Sequence, residues 1–167
     1  MAVEAFKTTE LGADYRGKPT NDHGKLRVQY FNLPATTVAG DANTTIDLCE
    51  LPAGPVRIVP DLSRLATSAF GAGRTLDVGH RAYLKKDPHM LGAGTIDEAE
   101  DPDAFIDGLD VSAAVTGSAF GAGLTAFGFK TKFDLYSKSG VTVFATVLGG
   151  TIPLGATITG FIAYVYE

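Results

Sequence analysis

VTVFATVLGGTIPLGATITGFIAYVY, residues 141–166, is a run of 26 residues without a single charge. It exceeds the roughly 20 apolar residues with which a helix spans a bilayer. Its composition speaks against that helix. Gly149, Gly150, Pro153, Gly155 and Gly160 interrupt it, five threonines recur from Thr142 to Thr159, and no Lys or Arg follows its C-terminal end. The run reads instead as two strands, Val141 to Leu148 and Ala156 to Tyr166, joined by Gly-Gly-Thr-Ile-Pro-Leu-Gly. Both strands are apolar on both faces, which places them in the middle of a sheet or in a subunit interface.

Upstream, more strands follow the same grammar. Lys25 to Leu33 alternates, with Leu26, Val28 and Tyr30 on one face and Lys25, Arg27 and Gln29 on the other, the period of a half-buried strand. Thr44 to Leu51 sets Ile46 and Leu48 against Asp47, after the turn-forming Gly40-Asp41-Ala42-Asn43. Val56 to Leu65 contains Pro60, which demands a bulge or an edge. Arg74 to Tyr83 reads as a short strand ending at a break at Gly79, and Tyr83 to Gly94 as a long surface loop. Val111 to Phe120 and Leu124 to Tyr136 complete the set, the latter with a core row of Phe127, Phe129 and Phe133. Thr95 and Glu98 have the spacing of a capping box, which predicts a short helical turn limited by Pro102. The expectation is an all-β chain of about eight strands, a sandwich or barrel over residues 25–167, preceded by an extended arm, residues 1–24.

The chain has 167 residues and 17.5 kDa, enough for one domain with a substantial core. Its formal charge of −5 offers no basic excess for holding a nucleic-acid backbone. The single cysteine, Cys49, forbids an internal disulfide and a Cys-rich metal site, and reads as a small buried hydrophobe. Met1 to Gly17 has scattered charges and no apolar run, unlike a secretory signal. Synthesis in a cytoplasm, with no membrane partner, is the expectation.

Catalytic and ligand motifs fail on context. Gly121-Ala122-Gly123-Leu124-Thr125-Ala126 fits a loose dinucleotide fingerprint, but the residues after it alternate as a strand where a helix is required. Seven carboxylates fall between Asp97 and Asp110, yet the calcium-loop glycine is missing after Asp101-Pro102-Asp103, so the segment reads as a solvated acidic loop. His23, His80 and His89 lack the spacing of a helical metal pair. Asp77 and His80 with Ser68 or Ser118 lack a nucleophile elbow. No catalytic residue, cofactor or metal ligand is expected. The hexapeptide Ser-Ala-Phe-Gly-Ala-Gly occurs at both 68–73 and 118–123. It reads as a Gly-rich bend used twice, or else as two loops that meet at one end of the sandwich as a docking surface.

Gly40-Asp41, Thr44 to Leu48, Leu51-Pro52-Ala53-Gly54, Thr75 to Gly79, Gly108 to Val111 and Gly155 to Ile158, with the terminal Tyr164-Val165, together resemble the small virion structural proteins of tailed bacteriophages. Within that group the pattern is most similar to head decoration, or cement, proteins. The resemblance implies a single jelly-roll-like β-sandwich, a homotrimer, the major capsid protein as partner and the outer capsid surface as location. On that reading Phe6, Leu11 and Tyr15 of the arm, with Phe144, Phe161 and Tyr164, are the candidate oligomer or capsid interface. The arm is expected to order only against a neighbour or the particle. Two rivals remain: a tail- or fibre-associated adhesive or carbohydrate-binding module, against which the lack of Trp counts, and a cupin-like enzyme, for which the histidines are too dispersed.

Overall fold

In the computed structural model, which describes residues 5–7, 25–86, 95–121 and 133–166, the chain is a β-sandwich of two sheets. The strands are β1 Ala5–Lys7, β2 Leu26–Leu33, β3 Thr45–Leu51, β4 Gly54–Ile58, β5 Arg64–Thr67, β6 Thr75–His80, β7 Tyr83–Lys86 and β8 Thr95–Glu98. They continue as β9 Asp101–Asp110, β10 Val115–Ala119, β11 Asp134–Ser137, β12 Val141–Leu148 and β13 Ile158–Tyr166. Sheet A runs β1-β3-β12-β6-β9; sheet B runs β10-β5-β13-β4-β11-β7-β8, with β2 on the other side of β13.

The charge-free stretch becomes one central strand in each sheet. β12 lies between β3 and β6, and β13 between β2 on one edge and β4 and β5 on the other. The two-sided apolar pattern is therefore satisfied inside the chain. Ile46, Leu76, Val78, Val143 and Val147 of sheet A meet Phe31, Ile58, Leu65, Ile158 and Ile162 of sheet B in one continuous core. A bulge in β3 opposite Val143 and Phe144 puts Leu48 and Cys49 next to each other in that core, so Cys49 is fully buried.

β13 needs a neighbour along its whole length, and two strands supply it in succession. β5 pairs with Ile158 to Phe161 and β4 with Tyr164 to Tyr166. Between them the chain makes a 3₁₀ turn, Pro60–Leu62, where the proline cannot disturb a ladder. The gap is closed by the fully buried Ser63. Its hydroxyl accepts the Ala163 amide at 3.0 Å and donates to Val59 O at 2.9 Å, while the Val59 amide donates to Ala163 O at 2.8 Å.

Several expectations need correction. On β2 the buried residues are Phe31 and Leu33, at 2% and 4% exposure, while Leu26, Val28 and Tyr30 face solvent. The alternation holds but its phase is opposite, because Phe31 and Leu33 are the larger apolar pair and Gly160 makes room for them. A β-carbon at Gly160 would run into the Phe31 ring and Arg64 O, so Phe31 packs where a side chain is missing. Thr95 to Asp110 forms no helical turn and no loop. It is β8 and β9, since Ala104, Phe105 and Ile106 are buried and pull the segment onto the sheet. Tyr83 to Lys86 is a strand paired with β8, where a loop was expected. Gly79 is no break: it lies within β6, where a β-carbon would overlap Asp101 O as β9 crosses close by. The strand count exceeds eight because Val56 to Leu65 divides into β4 and β5, and because β1, β7, β8 and β9 form where an arm, a loop and a helical turn were expected. Phe127 and Phe129 lie outside the described residues, and Phe133 is partly buried against the core.

Replacing Ser63 by Ala leaves a buried amide at Ala163 without its acceptor, and the expected loss is about 1–3 kcal/mol in urea unfolding. Gly160→Ala should cost at least as much, because Phe31 must leave its position. Equal stability of either variant to wild type would contradict this account of the β13 register.

Candidate interaction surfaces

On the outer face of sheet A one cation covers an aromatic ring. Phe144 pairs across the strands with Asp47 and with Gly79. Arg81, two residues beyond Gly79, lies with its guanidinium 4.0 Å over the Phe144 ring. It donates to Asp47 Oδ1 from Nη2 at 2.8 Å and Nε at 3.0 Å, to Thr45 Oγ1 at 2.8 Å and to Glu100 Oε2 at 3.2 Å. Phe144 is thereby fully buried although it belongs to the outer face.

Next to this network Asp77 is almost entirely buried, its Oδ1 accepting the Gly108 amide at 2.7 Å. Burial raises its pKa above the ordinary 3.8; the Gly108 hydrogen bond opposes this, and the charges of Asp107 and Asp103 add to it. An open groove of about 380 Å³ lies at the β3–β7 side, lined by Glu50, Tyr83, Glu98, Ser139, Gly140 and Thr142. Glu98 is tied to Lys85 at 3.4 Å. Burial, then the Glu98 charge, pushes the Tyr83 hydroxyl up to about 12, so it remains a phenol at neutral pH and is no nucleophile. Among the described residues no three of His, Cys, Asp and Glu gather as a metal site. His80 packs against Tyr83 and Phe105 with its Nδ1 3.1 Å from Arg81 O, and it faces no hydroxyl nucleophile in the described contacts.

The outer face of sheet B is open. Leu26, Val28 and Tyr30 are 52%, 42% and 63% exposed and pair across the strands with Val165, Ala163 and Phe161. The Tyr30 and Phe161 rings are 5.8 Å apart. On the far side of β13 stand Arg64, opposite Phe161, and Arg57, opposite Val165. At one end of the sandwich the loops 34–43 and 149–157 are locked together by Thr36, whose hydroxyl donates to Pro153 O at 2.8 Å and accepts the Ala156 amide at 3.1 Å. Val38 and Leu154 are exposed on these loops.

The expected interface residues therefore scatter. Phe161 is half-buried on the open face; Phe144 is sealed beneath Arg81, and Tyr164 is in the core with its hydroxyl pKa raised by burial against the opposing pull of Arg27. Leu11 and Tyr15 lie outside the described residues. Phe6 belongs to β1, which pairs in parallel with β3 of its own chain, so this part of the arm finds a partner without a neighbouring subunit. Leu26, Val28 and Tyr30, which the sequence reading did not name as contact residues, are exposed on the open face of sheet B. Their alternation was visible, but the side it faced was not. The first hexapeptide, 68–73, and the described part of the second, 118–121, lie apart. One follows β5 and the other overlaps the end of β10, and these strands are antiparallel, so the copies leave opposite ends of the pair. Each sends its phenylalanine, Phe70 or Phe120, into the core and turns at a glycine of positive φ, Gly71 at 105° or Gly121 at 93°.

Neither the protein-family models nor the curated proteins contain a sequence match to this chain. Among solved structures, it is similar to a chain in the capsid of Ralstonia phage GP4, with TM-score 0.63 and 17% identity, over 98% of this chain and 99% of that one. It is also similar to a chain in the capsid asymmetric unit of cyanophage Pam1, with TM-score 0.51 and 15% identity, over 93% and 94% of the two chains. The fold is thus one shared end to end with chains from phage capsids.

Arg81→Ala uncovers Phe144 and strands Asp47, with an expected loss of about 2 kcal/mol by urea unfolding; Arg81→Lys, which keeps the charge but not the planar fork, should fall between. No loss in Arg81→Ala would refute its covering role. Because the folded-state pKa of Asp77 is raised, its contribution to stability is fully present below 3.8 and is lost as pH rises through the raised value. Asp77→Asn keeps an acceptor for Gly108, so the variant should gain on wild type as pH rises from about 4 to 7. Parallel stability curves for the two proteins over that range would contradict this.

Proposed function

We propose that this chain is a structural protein of a phage virion, and that it acts as a head decoration, or cement, protein. On this reading it binds the outer surface of the head as a homotrimer, contacts the major capsid protein and stabilises the particle. The observation that carries the reading is the fold shared over 98% of the chain with a chain from the capsid of Ralstonia phage GP4. The surfaces support it. Polar groups around Arg81, Ser63 and Thr36 are engaged in internal networks, whereas an apolar face of sheet B is left for contact. Residues 1–24 serve as an arm and residues 25–167 as the sandwich that it helps to anchor.

The experiment is to add purified protein to heads assembled without it. Co-sedimentation at saturating stoichiometry and a rise of several degrees in head disruption temperature are expected, with density on the outer surface in electron microscopy. Failure to bind heads would overturn the decoration reading. A monomer by light scattering, both free at micromolar concentration and on the particle, would overturn the trimer.

A further inference from the structure

The four adjacent strands β2, β13, β4 and β5 contain Arg27, Arg57 and Arg64 and not one carboxylate. In a chain of net charge −5 these strands form a basic segment, with the exposed Asp61 on the turn between β4 and β5. Its outer face combines the exposed Leu26, Val28 and Tyr30 with Phe161 and a rim of Arg57 and Arg64. Exposed apolar area next to Tyr and Arg is the composition of a protein contact centre. The Asp134 carboxylate on neighbouring β11 is held by Arg57 Nε at 2.7 Å, so it does not cancel Arg64.

The opposite charge lies at the other side of the sandwich. β9 carries four aspartates and no cation, forms one edge of sheet A, and exposes Asp107 and Asp110 on either side of the partly buried Leu109. Asp107 and Asp103 both push the pKa of the neighbouring Asp77 upward. β2 lies beside β3, on the far side of β12 and β6 from β9. The two patches of one molecule therefore cannot meet each other.

We infer that the apolar, arginine-rimmed face of β2 and β13 docks the acidic β9 edge of a second copy of this chain, head to tail. The inference rests on the proposed homotrimer and gives it an interface. A closed ring with threefold symmetry needs two different, complementary patches on each subunit, whereas a self-complementary patch yields a twofold dimer. The apolar band excludes water at the centre, and the Arg64 and Asp107 charges steer the approach and set its polarity.

The test is sedimentation velocity of the full chain at low and at high salt. Val28→Glu with Tyr30→Glu, both at exposed positions, should weaken self-association at least tenfold while leaving the circular dichroism and melting temperature unchanged. Arg64→Glu and Asp107→Lys should each weaken it, and the two together should regain at least threefold over either alone. Wild-type assembly should weaken as salt rises. A monomeric wild type, unchanged assembly in the Val28/Tyr30 variant, or no recovery in the charge-exchanged pair would each overturn the inference. Loss of head binding by a Val28/Tyr30 variant that still assembles normally would assign this face to the shell, overturning the inference and sparing the decoration reading. A wild type that assembles through this face but never binds heads would do the reverse.

Discussion

β13 is hydrogen-bonded on both edges, and its side chains are needed on both faces. β2 occupies one edge over eight residue pairs, while the other edge is shared by β5 and β4. Sharing an edge between two strands creates a gap, and a gap in the middle of a buried sheet exposes amides that no water reaches. Ser63 fills it with one hydroxyl that both accepts and donates. The 3₁₀ turn at Pro60–Leu62, the burial of Ser63 and the register of three strands are consequences of this one requirement.

Sheet A solves a related problem by other means. β12 is as apolar as β13, but its outer face has no second sheet to cover it. Gly79 opposite Phe144 leaves space, the β9 backbone at Asp101 closes over the glycine, and Arg81 covers the ring while satisfying Asp47, Thr45 and Glu100. The two sheets thus differ in what they present outward. Sheet A shows a knitted polar surface beside an acidic edge, and sheet B an open apolar one rimmed by arginine.

Strand periodicity was legible wherever one face of a strand was dominated by one kind of residue. Ile46 and Leu48 against Asp47 in β3 follow from the alternation, and the extent of β12 from Val141 to Leu148 follows from the charge-free run and the glycines at its ends. The acidic segment misled for the converse reason. A capping-box spacing between Thr95 and Glu98 is a local preference of about a kilocalorie per mole, and burial of Ala104, Phe105 and Ile106 outweighs it. The candidate contact residues were legible only as a set of aromatic and aliphatic side chains. Phe144 and Phe161 look alike in sequence, and only the covering guanidinium of Arg81 separates the sealed ring from the half-exposed one.

By itself the sequence determined an all-β chain whose charge-free residues 141–166 form two strands, in the middle of a sheet or in a subunit interface, since glycine, proline and threonine exclude the helix; the pairing of β12 and β13 within the chain settled it for the sheet middle. Tertiary structure alone decided which face of β2 is buried. Leu26, Val28 and Tyr30 compete with Phe31 and Leu33 for the core, and a shift of one residue exchanges the two sets. The choice was made on another strand, at Gly160, where the absence of a side chain admits the Phe31 ring. A pairing between residues more than a hundred positions apart leaves no mark in the local pattern of either strand, and so the open face of the molecule became visible only when the two were brought together.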